Sequence, residues 1–201
     1  MQVIGQHKLT NASIESPLVD EMLDGEVINV LYSDPPWGSG NLKYWVTMNK
    51  KMTGAVFAPL SYDQLLSRLY ELIERYVRGH VFIETGKQWA EQVRVDFLKR
   101  FFSVKTFTLK YKSGARFLEC VLIAATTGSQ YEFNYDPTNQ VGAVVAKNCV
   151  GAVAVPGGIV LDPCCGMGYT ARAAVAAGMK FRGNEFNAAR LAKTEEFLRS
   201  A

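Results

Sequence analysis

Two short stretches of the chain combine a carboxylate with residues that force the backbone to turn. The first is Asp34-Pro35-Pro36-Trp37, which follows the mainly apolar run Val27-Ile28-Asn29-Val30-Leu31. That run predicts a buried strand, so Asp34 should stand where the strand ends and the chain leaves the sheet. Two successive prolines fix φ and remove two backbone donors, leaving the carbonyls of the turn as acceptors. A carboxylate, carbonyl acceptors and a flat indole at a strand mouth suit a planar group bearing an amino function. The acceptors take its N–H bonds and Trp37 stacks on its face.

The second stretch is Asp162-Pro163-Cys164-Cys165-Gly166-Met167-Gly168, directly after Ile159-Val160-Leu161, again a predicted buried strand. Gly166 and Gly168 permit a tight turn that brings backbone close to a ligand, and Tyr169 to Ala177 then predicts an alanine-rich helix ended by Gly178. A further strand, Met179 to Arg182, ends at Gly183-Asn184-Glu185, and Asn187 caps a last helix. Glu185 falls about where a β-α-β nucleotide unit places the acid that binds two ribose hydroxyls. Taken alone, Gly166-x-Gly168-x-x-Ala171 with a downstream acid is shared by dinucleotide binders and S-adenosylmethionine binders.

Several further elements must position these turns. The first 26 residues or so predict a short strand at Val3-Ile4 and a connector. After Trp37, the segment from Gly38 to Pro59 has no clear periodicity and predicts a loop of roughly twenty residues, a length at which loops tend to be functional. Its Lys43, Tyr44, Trp45, Lys50 and Lys51 interleave basic and aromatic side chains, as a nucleic-acid contact requires. Ser61-x-x-Gln64 is a capping box, and Leu65, Leu66, Leu69, Leu72, Ile73, Tyr76 and Val77 continue at helical spacing until Gly79. His80-Val81-Phe82-Ile83 predicts a short buried strand in which His80 is structural. Thr85-x-x-Gln88 then predicts a second cap, with Trp89, Val93, Phe97 and Phe101 as a core stripe. From Val104 the period changes to two, Ser113-Gly114 turns the chain, and Arg116 to Ala125 returns it as an antiparallel edge hairpin. Thr126 to Val150 is polar and irregular.

The chain of 201 residues is 48% hydrophobic and 20% charged, which predicts a single globular domain over residues 1–201. No basic segment leads into a long apolar one, and no apolar run reaches the roughly 18 residues of a membrane span, so the expected location is cytoplasmic. A net charge of +3 is compatible with a nucleic-acid partner and does not single one out. Cys120, Cys149, Cys164 and Cys165 lack metal-ligand spacing, so no metal site is expected and the cysteines are read as small buried hydrophobes.

The D-P-P-aromatic turn together with the D-P-x-C-G-x-G turn, each after its own apolar strand, resembles the S-adenosylmethionine-dependent amino-group (adenine-N6/cytosine-N4) DNA methyltransferases. Residues 27 to 199 can be laid on the permuted branch of that family, in which the catalytic motif precedes the cofactor motif. The resemblance implies an α/β fold: a Rossmann-like, circularly permuted, seven-stranded and mostly parallel sheet with an antiparallel edge hairpin. The N-terminal residues would supply the strand that would otherwise follow the last helix, and the strands before Asp34 and Asp162 would be neighbours.

By the same resemblance, Asp34, Pro35, Pro36 and Trp37 are the catalytic residues. Asp34 and the Pro35 carbonyl accept hydrogen bonds from the target amino group, and Trp37 stacks on a base flipped out of the duplex. Asp162, Pro163, Cys164, Cys165, Gly166 and Gly168 surround the methionine part of S-adenosylmethionine, and Asn184 and Glu185 stand at its ribose. The implied reaction is methyl transfer to adenine N6 in DNA. RNA adenosine, cytosine N4 and a non-catalytic S-adenosylmethionine-binding subunit are the alternatives. The family's Lys-Pro signature upstream of the cofactor strand is absent, Lys147-Asn148 being the nearest counterpart, so the methionine end lacks its usual grip. A large target-recognition domain is also missing, which implies either low sequence specificity or target choice by the Gly38 to Pro59 loop, a dimer mate or another subunit.

Overall fold

The computed structural model describes residues 1–56, 60–113, 116–140 and 142–201. The expected loop boundary at Pro59 and the Gly114 half of the hairpin turn lie outside these residues. In chain order the elements are β1 (Gln2–Ile4), β2 (His7–Thr10), α1 (Pro17–Leu23), β3 (Ile28–Ser33), α2 (Ser39–Thr53), α3 (Tyr62–Tyr76), β4 (Val77–Gly86) and α4 (Lys87–Leu98). There follow β5 (Ser103–Ser113), β6 (Arg116–Thr126), α5 (Ala143–Ala152), β7 (Ile159–Asp162), α6 (Tyr169–Ala176), β8 (Lys180–Asn184) and α7 (Ala188–Ser200).

One sheet runs in the order β1-β2-β8-β7-β3-β4-β6-β5. Its five central strands, β2, β8, β7, β3 and β4, are parallel. The β5–β6 hairpin closes one edge antiparallel to β4, as expected. The N-terminal segment supplies β2, parallel to β8, as expected. It also adds β1, antiparallel to β2, so the sheet has eight strands and not seven.

Burial on both faces explains why the central strands read as apolar runs. In β3, Val30 and Tyr32 pack into one core with α5, α6 and α7, while Ile28 and Leu31 pack into the other with α1, α3 and α4. Helix α3 begins with the expected capping box, in which the Ser61 hydroxyl accepts from the Gln64 N–H and the Gln64 side chain accepts from the Ser61 N–H. Its Leu69, Leu72 and Ile73 are wholly buried, each contributing about 1.5–3 kcal/mol. It stops at Tyr76 and not at Gly79, because Val77 already begins β4.

Four other expectations are corrected. The segment after Trp37 is not a loop but the helix α2, ended by Gly54, and it escapes a periodicity search because only Leu42 and Asn49 along it are buried. Thr126 to Val150 is irregular only in its first part, since α5 begins at Ala143 and buries Val145, Ala146, Cys149 and Val150. Thr85 does not cap α4: it lies buried at the end of β4, within 3.4 Å of the Tyr62 hydroxyl, and Gly86 precedes the helix without a side-chain cap. The N-terminal connector contains α1, for which Ser16 followed by Pro17 at the first helical position was an available signal.

Candidate active site

The chain steps from β7 through α6 to β8 in one direction along the sheet, and from β3 through α2 and α3 to β4 in the other. The crevice beyond the carboxyl ends of β7 and β3 is therefore a topological switch point, where open α/β sheets place their ligands. Both turns singled out in the sequence meet there. Ser33, the last residue of β3, donates its hydroxyl to Oδ1 of Asp162 at 2.9 Å and so ties one turn to the other.

Asp34 follows and is exposed at the mouth of this crevice. Its Oδ1 accepts the indole Nε1–H of Trp37 at 2.7 Å. The Trp37 backbone N–H is held by Oδ1 of Asn41 in α2 at 3.1 Å, and its ring meets Tyr111 of β5 edge-on, with centroids 5.1 Å apart. Trp37 thus braces the carboxylate against both α2 and the hairpin.

On the other side, Asp162 is buried and accepts from Ser33, from the Cys164 N–H at 3.0 Å and from the Thr170 hydroxyl at 2.6 Å. These bonds make it a tie between β3, β7 and α6. Gly166 and Gly168 have φ of +53° and +83°, and a Cβ on either would come within 2.5 Å of the Arg190 guanidinium or 2.8 Å of the Thr194 hydroxyl. Glu185 closes the turn: Oε2 accepts the Gly166 N–H at 2.8 Å and Oε1 the Asn187 N–H at 2.9 Å. Asn184 accepts from the Thr10 hydroxyl and donates to the carbonyls of Ala12 and Pro163, fastening β2, β8 and the turn together. Cys165 is buried, and burial pushes the thiols of both Cys164 and Cys165 well up, so they stay protonated.

The crevice concentrates acid. Water reaches Asp34 from the mouth while protein surrounds its other sides, and that crowding raises its carboxyl to about 6 against the pull of the Trp37 hydrogen bond and the Arg190 charge. Burial raises Asp162 to about 7. Glu185 is raised by burial, with Arg190 pulling the other way. A fourth acid was missed in the sequence. Glu84 follows Ile83, the residue paired with Ser33 in the β3–β4 register, which sets it beside Asp34. It is buried, accepts the Tyr32 hydroxyl and takes a 3.8 Å contact from the Cys120 thiol. Burial and then the Asp34 charge push it well above the carboxylate range. An acid directly after a buried apolar strand, one strand away from Asp34, was the signal.

Arg190 was also missed. It lies in the first turn of α7 with its guanidinium 4.2 Å from the centroid of the Trp45 ring of α2. No sequence signal joins these residues, because α2 itself was not anticipated. His80, read as structural, bonds through Nε2 to the Glu132 carbonyl at 2.8 Å.

No protein-family model and no curated protein matches the chain. Solved structures do. M1.HpyAVI superimposes with a TM-score of 0.68 at 16% identity, over 95% of this chain and 98% of that one. TTHA0409 of Thermus thermophilus, described as a candidate DNA modification methylase, does so at 0.66 and 17%, over 96% and 95% of the two chains. The PvuII DNA methyltransferase, described as cytosine-N4-specific, matches at 0.65 and 11%, over 97% and 86%. M1.HpyAVI and TTHA0409 have each also been solved in complex with S-adenosyl-L-methionine. The chain shares the fold of these proteins, including the mostly parallel sheet with its antiparallel hairpin.

Proposed function

We propose that this chain transfers a methyl group from S-adenosylmethionine to the exocyclic amino group of a nucleobase, adenine N6 in DNA. The observation that carries the reading is the junction at the switch point: an accessible Asp34, oriented by Trp37, stands one strand away from a glycine turn closed by Glu185. The structural neighbours support it, two of them as S-adenosyl-L-methionine complexes.

The residues fit the cofactor. At Gly166 and Gly168 the backbone has left-handed φ and carries no side chain of its own, and the Arg190 guanidinium resting over Gly166 is the movable end of a flexible side chain. Each Glu185 oxygen accepts one backbone N–H and keeps a second lone pair for a ribose hydroxyl. Asp162 and Asn184 act from below, holding Pro163 to Gly168 in place through bonds made within the chain.

When bound, the cofactor supplies an electrophilic methyl group on a sulfonium. The chain supplies position and charge. A nucleobase amino nitrogen has its lone pair delocalised into the ring, and acceptance of its N–H bonds by Asp34 and the Pro35 carbonyl favours a pyramidal, more nucleophilic nitrogen. Asp34 performs this role as the carboxylate, and a carboxyl raised to about 6 is also a competent acceptor for the proton the amine loses near neutral pH. The Trp37 N–H fixes the carboxylate that does so.

We take residues 1–201 as one catalytic unit of a cytoplasmic protein acting on DNA, with target choice shared with a dimer mate or a second subunit. Cytosine N4 is the second reading, favoured by the PvuII neighbour. Label transfer from S-adenosylmethionine to poly(dA)·poly(dT) and to poly(dG)·poly(dC) separates the two. Adenine N6 methylation labels the first alone, and label in the second alone would replace adenine by cytosine. Binding of S-adenosylmethionine without transfer to any nucleic acid would make the chain a non-catalytic subunit.

A further inference from the structure

Arg190 occupies an unfavourable place for a cation. It stands in the first turn of α7, where the helix dipole is positive and an acidic residue would be stabilising. Several other arginines have partners: Arg68 pairs with Asp20, Arg182 with Glu26 and Arg199 with Glu195, while Arg78 and Arg172 donate to carbonyls. Among the described residues, the Arg190 guanidinium makes neither an ion pair nor a hydrogen bond. It lies against the Trp45 ring on one side and over Gly166 on the other. Five N–H donors in a planar fork are therefore held over the glycine turn, near enough to Asp34 and Glu185 for their charges to be felt but, among the described residues, hydrogen-bonded to neither.

Resting on the S-adenosylmethionine reading, we propose that Arg190 binds the carboxylate of the cofactor's amino-acid end. A ligand whose ribose is at Glu185 and whose methyl group faces Asp34 must cross the Gly166 turn, where the Arg190 guanidinium rests, so the guanidinium must swing aside and lie against the ligand. The amino-acid carboxylate is the one anion such a ligand carries, and a guanidinium meets a carboxylate with two parallel hydrogen bonds. Arg190 thereby supplies the grip that the missing Lys-Pro signature leaves unassigned. The guanidinium and the sulfonium are both cations, so ligand binding draws Arg190 away from the sulfur and toward the carboxylate. The charge of Arg190 is already felt at both ends of this path, where it opposes the upward push of burial on Asp34 and on Glu185.

Calorimetric titration of wild type, Arg190→Ala and Arg190→Lys with three ligands tests this. S-adenosylmethionine and S-adenosylhomocysteine carry the carboxylate; 5′-methylthioadenosine keeps the adenine, ribose and sulfur without it. Arg190→Ala should weaken the first two by about tenfold or more, the scale of a charged hydrogen-bond pair, and leave 5′-methylthioadenosine within about twofold. Arg190→Lys should restore part of the loss. Equal weakening of all three ligands would assign Arg190 a merely structural role, and unchanged affinity for all three would remove it from the site; either overturns the proposal. Wild type binding none of them would sink the S-adenosylmethionine reading and the Arg190 role together, whereas wild type binding with an indifferent Arg190→Ala defeats the Arg190 role alone.

Discussion

The Trp37 indole Nε1 lies 2.7 Å from Oδ1 of Asp34, three residues earlier in the same turn. The aromatic residue of the D-P-P-aromatic motif therefore acts on the carboxylate itself, in addition to any contact its ring face makes with a base. Its ring edge is fixed by Tyr111 and its backbone by Asn41, so the N–H cannot readily turn away.

Trp37→Phe keeps a ring against Tyr111 and removes this donor. The hydrogen bond lowers the Asp34 pKa against burial, so its loss raises that pKa further. In the proposed mechanism Asp34 accepts the amine N–H as the carboxylate, so the acid limb of the rate profile should move above about 6. At pH 8 the variant should lose about fivefold in kcat/KM, as for one net hydrogen bond, and more at pH 6. Methyl-transfer rates between pH 5 and 8 check this; an unmoved acid limb would contradict the Trp37–Asp34 coupling.

Glu84 is buried beneath the site as the neutral acid, because burial and the Asp34 charge push its pKa well up. Glu84→Gln keeps an acceptor for the Tyr32 hydroxyl at nearly the same volume and should cost less than about 1 kcal/mol. Glu84→Ala leaves that buried hydroxyl unpaired and should cost about 1–3 kcal/mol, with a cavity adding to the loss. Urea unfolding of the two variants decides; equal costs would mean that the Tyr32 hydroxyl does not depend on an acceptor at position 84.

Stability should fall as pH rises from 7 to 8. Asp162 at about 7, and Glu84, pushed well above the carboxylate range, hold protons in the folded chain that the unfolded chain has already released. The folded state thus binds more protons across this window, and each such group contributes a loss of at most about 1.4 kcal/mol per pH unit. His7 and His80 are lowered by burial and act in the opposite sense, but only below their unfolded pKa of about 6.5. Urea midpoints at pH 7 and pH 8 measure the slope, and Glu84→Gln should flatten it. A rising midpoint would contradict the protonated acids.

Gly168→Ala places a Cβ 2.8 Å from the Thr194 hydroxyl at a φ of +83°. That hydroxyl donates to the Gly166 carbonyl at 3.1 Å, so it cannot yield without loosening the turn. We expect about 1–3 kcal/mol of destabilisation, read from thermal or urea unfolding, with weaker S-adenosylmethionine binding by calorimetry. An unchanged variant would show that the turn has room the geometry denies.

What was legible in the sequence follows how each element is stabilised. Strands β3, β4 and β7 are buried on both faces, and β3 and β7 deliver Asp34 and Asp162 at their ends, so their apolar runs located half of the site. The Ser61–Gln64 cap of α3 is a purely local interaction and was visible as such. Helix α2 rests on contacts from distant parts of the chain, Trp45 with Arg190 and Met52 with Asn187, and no local pattern encodes those. Thr85 has the spacing of a cap, but its hydroxyl lies against Tyr62, a tertiary contact that overrides the motif. Glu84 and Arg190 were missed for the same reason: each reaches the crevice only through the register of β3 with β4 or the approach of α2 to α7.

If Asp34 directs methyl transfer to an amino nitrogen, the product carries the proof. Wild type and Asp34→Ala are incubated with labelled S-adenosylmethionine and, in parallel, with DNA, RNA and protein, and the modified nucleoside is identified by mass. Wild type should yield N6-methyladenine from DNA. With Asp34→Ala we expect a loss of at least about a hundredfold, while calorimetry still detects cofactor binding. Label found only in protein, or full activity in Asp34→Ala, would contradict this role of Asp34.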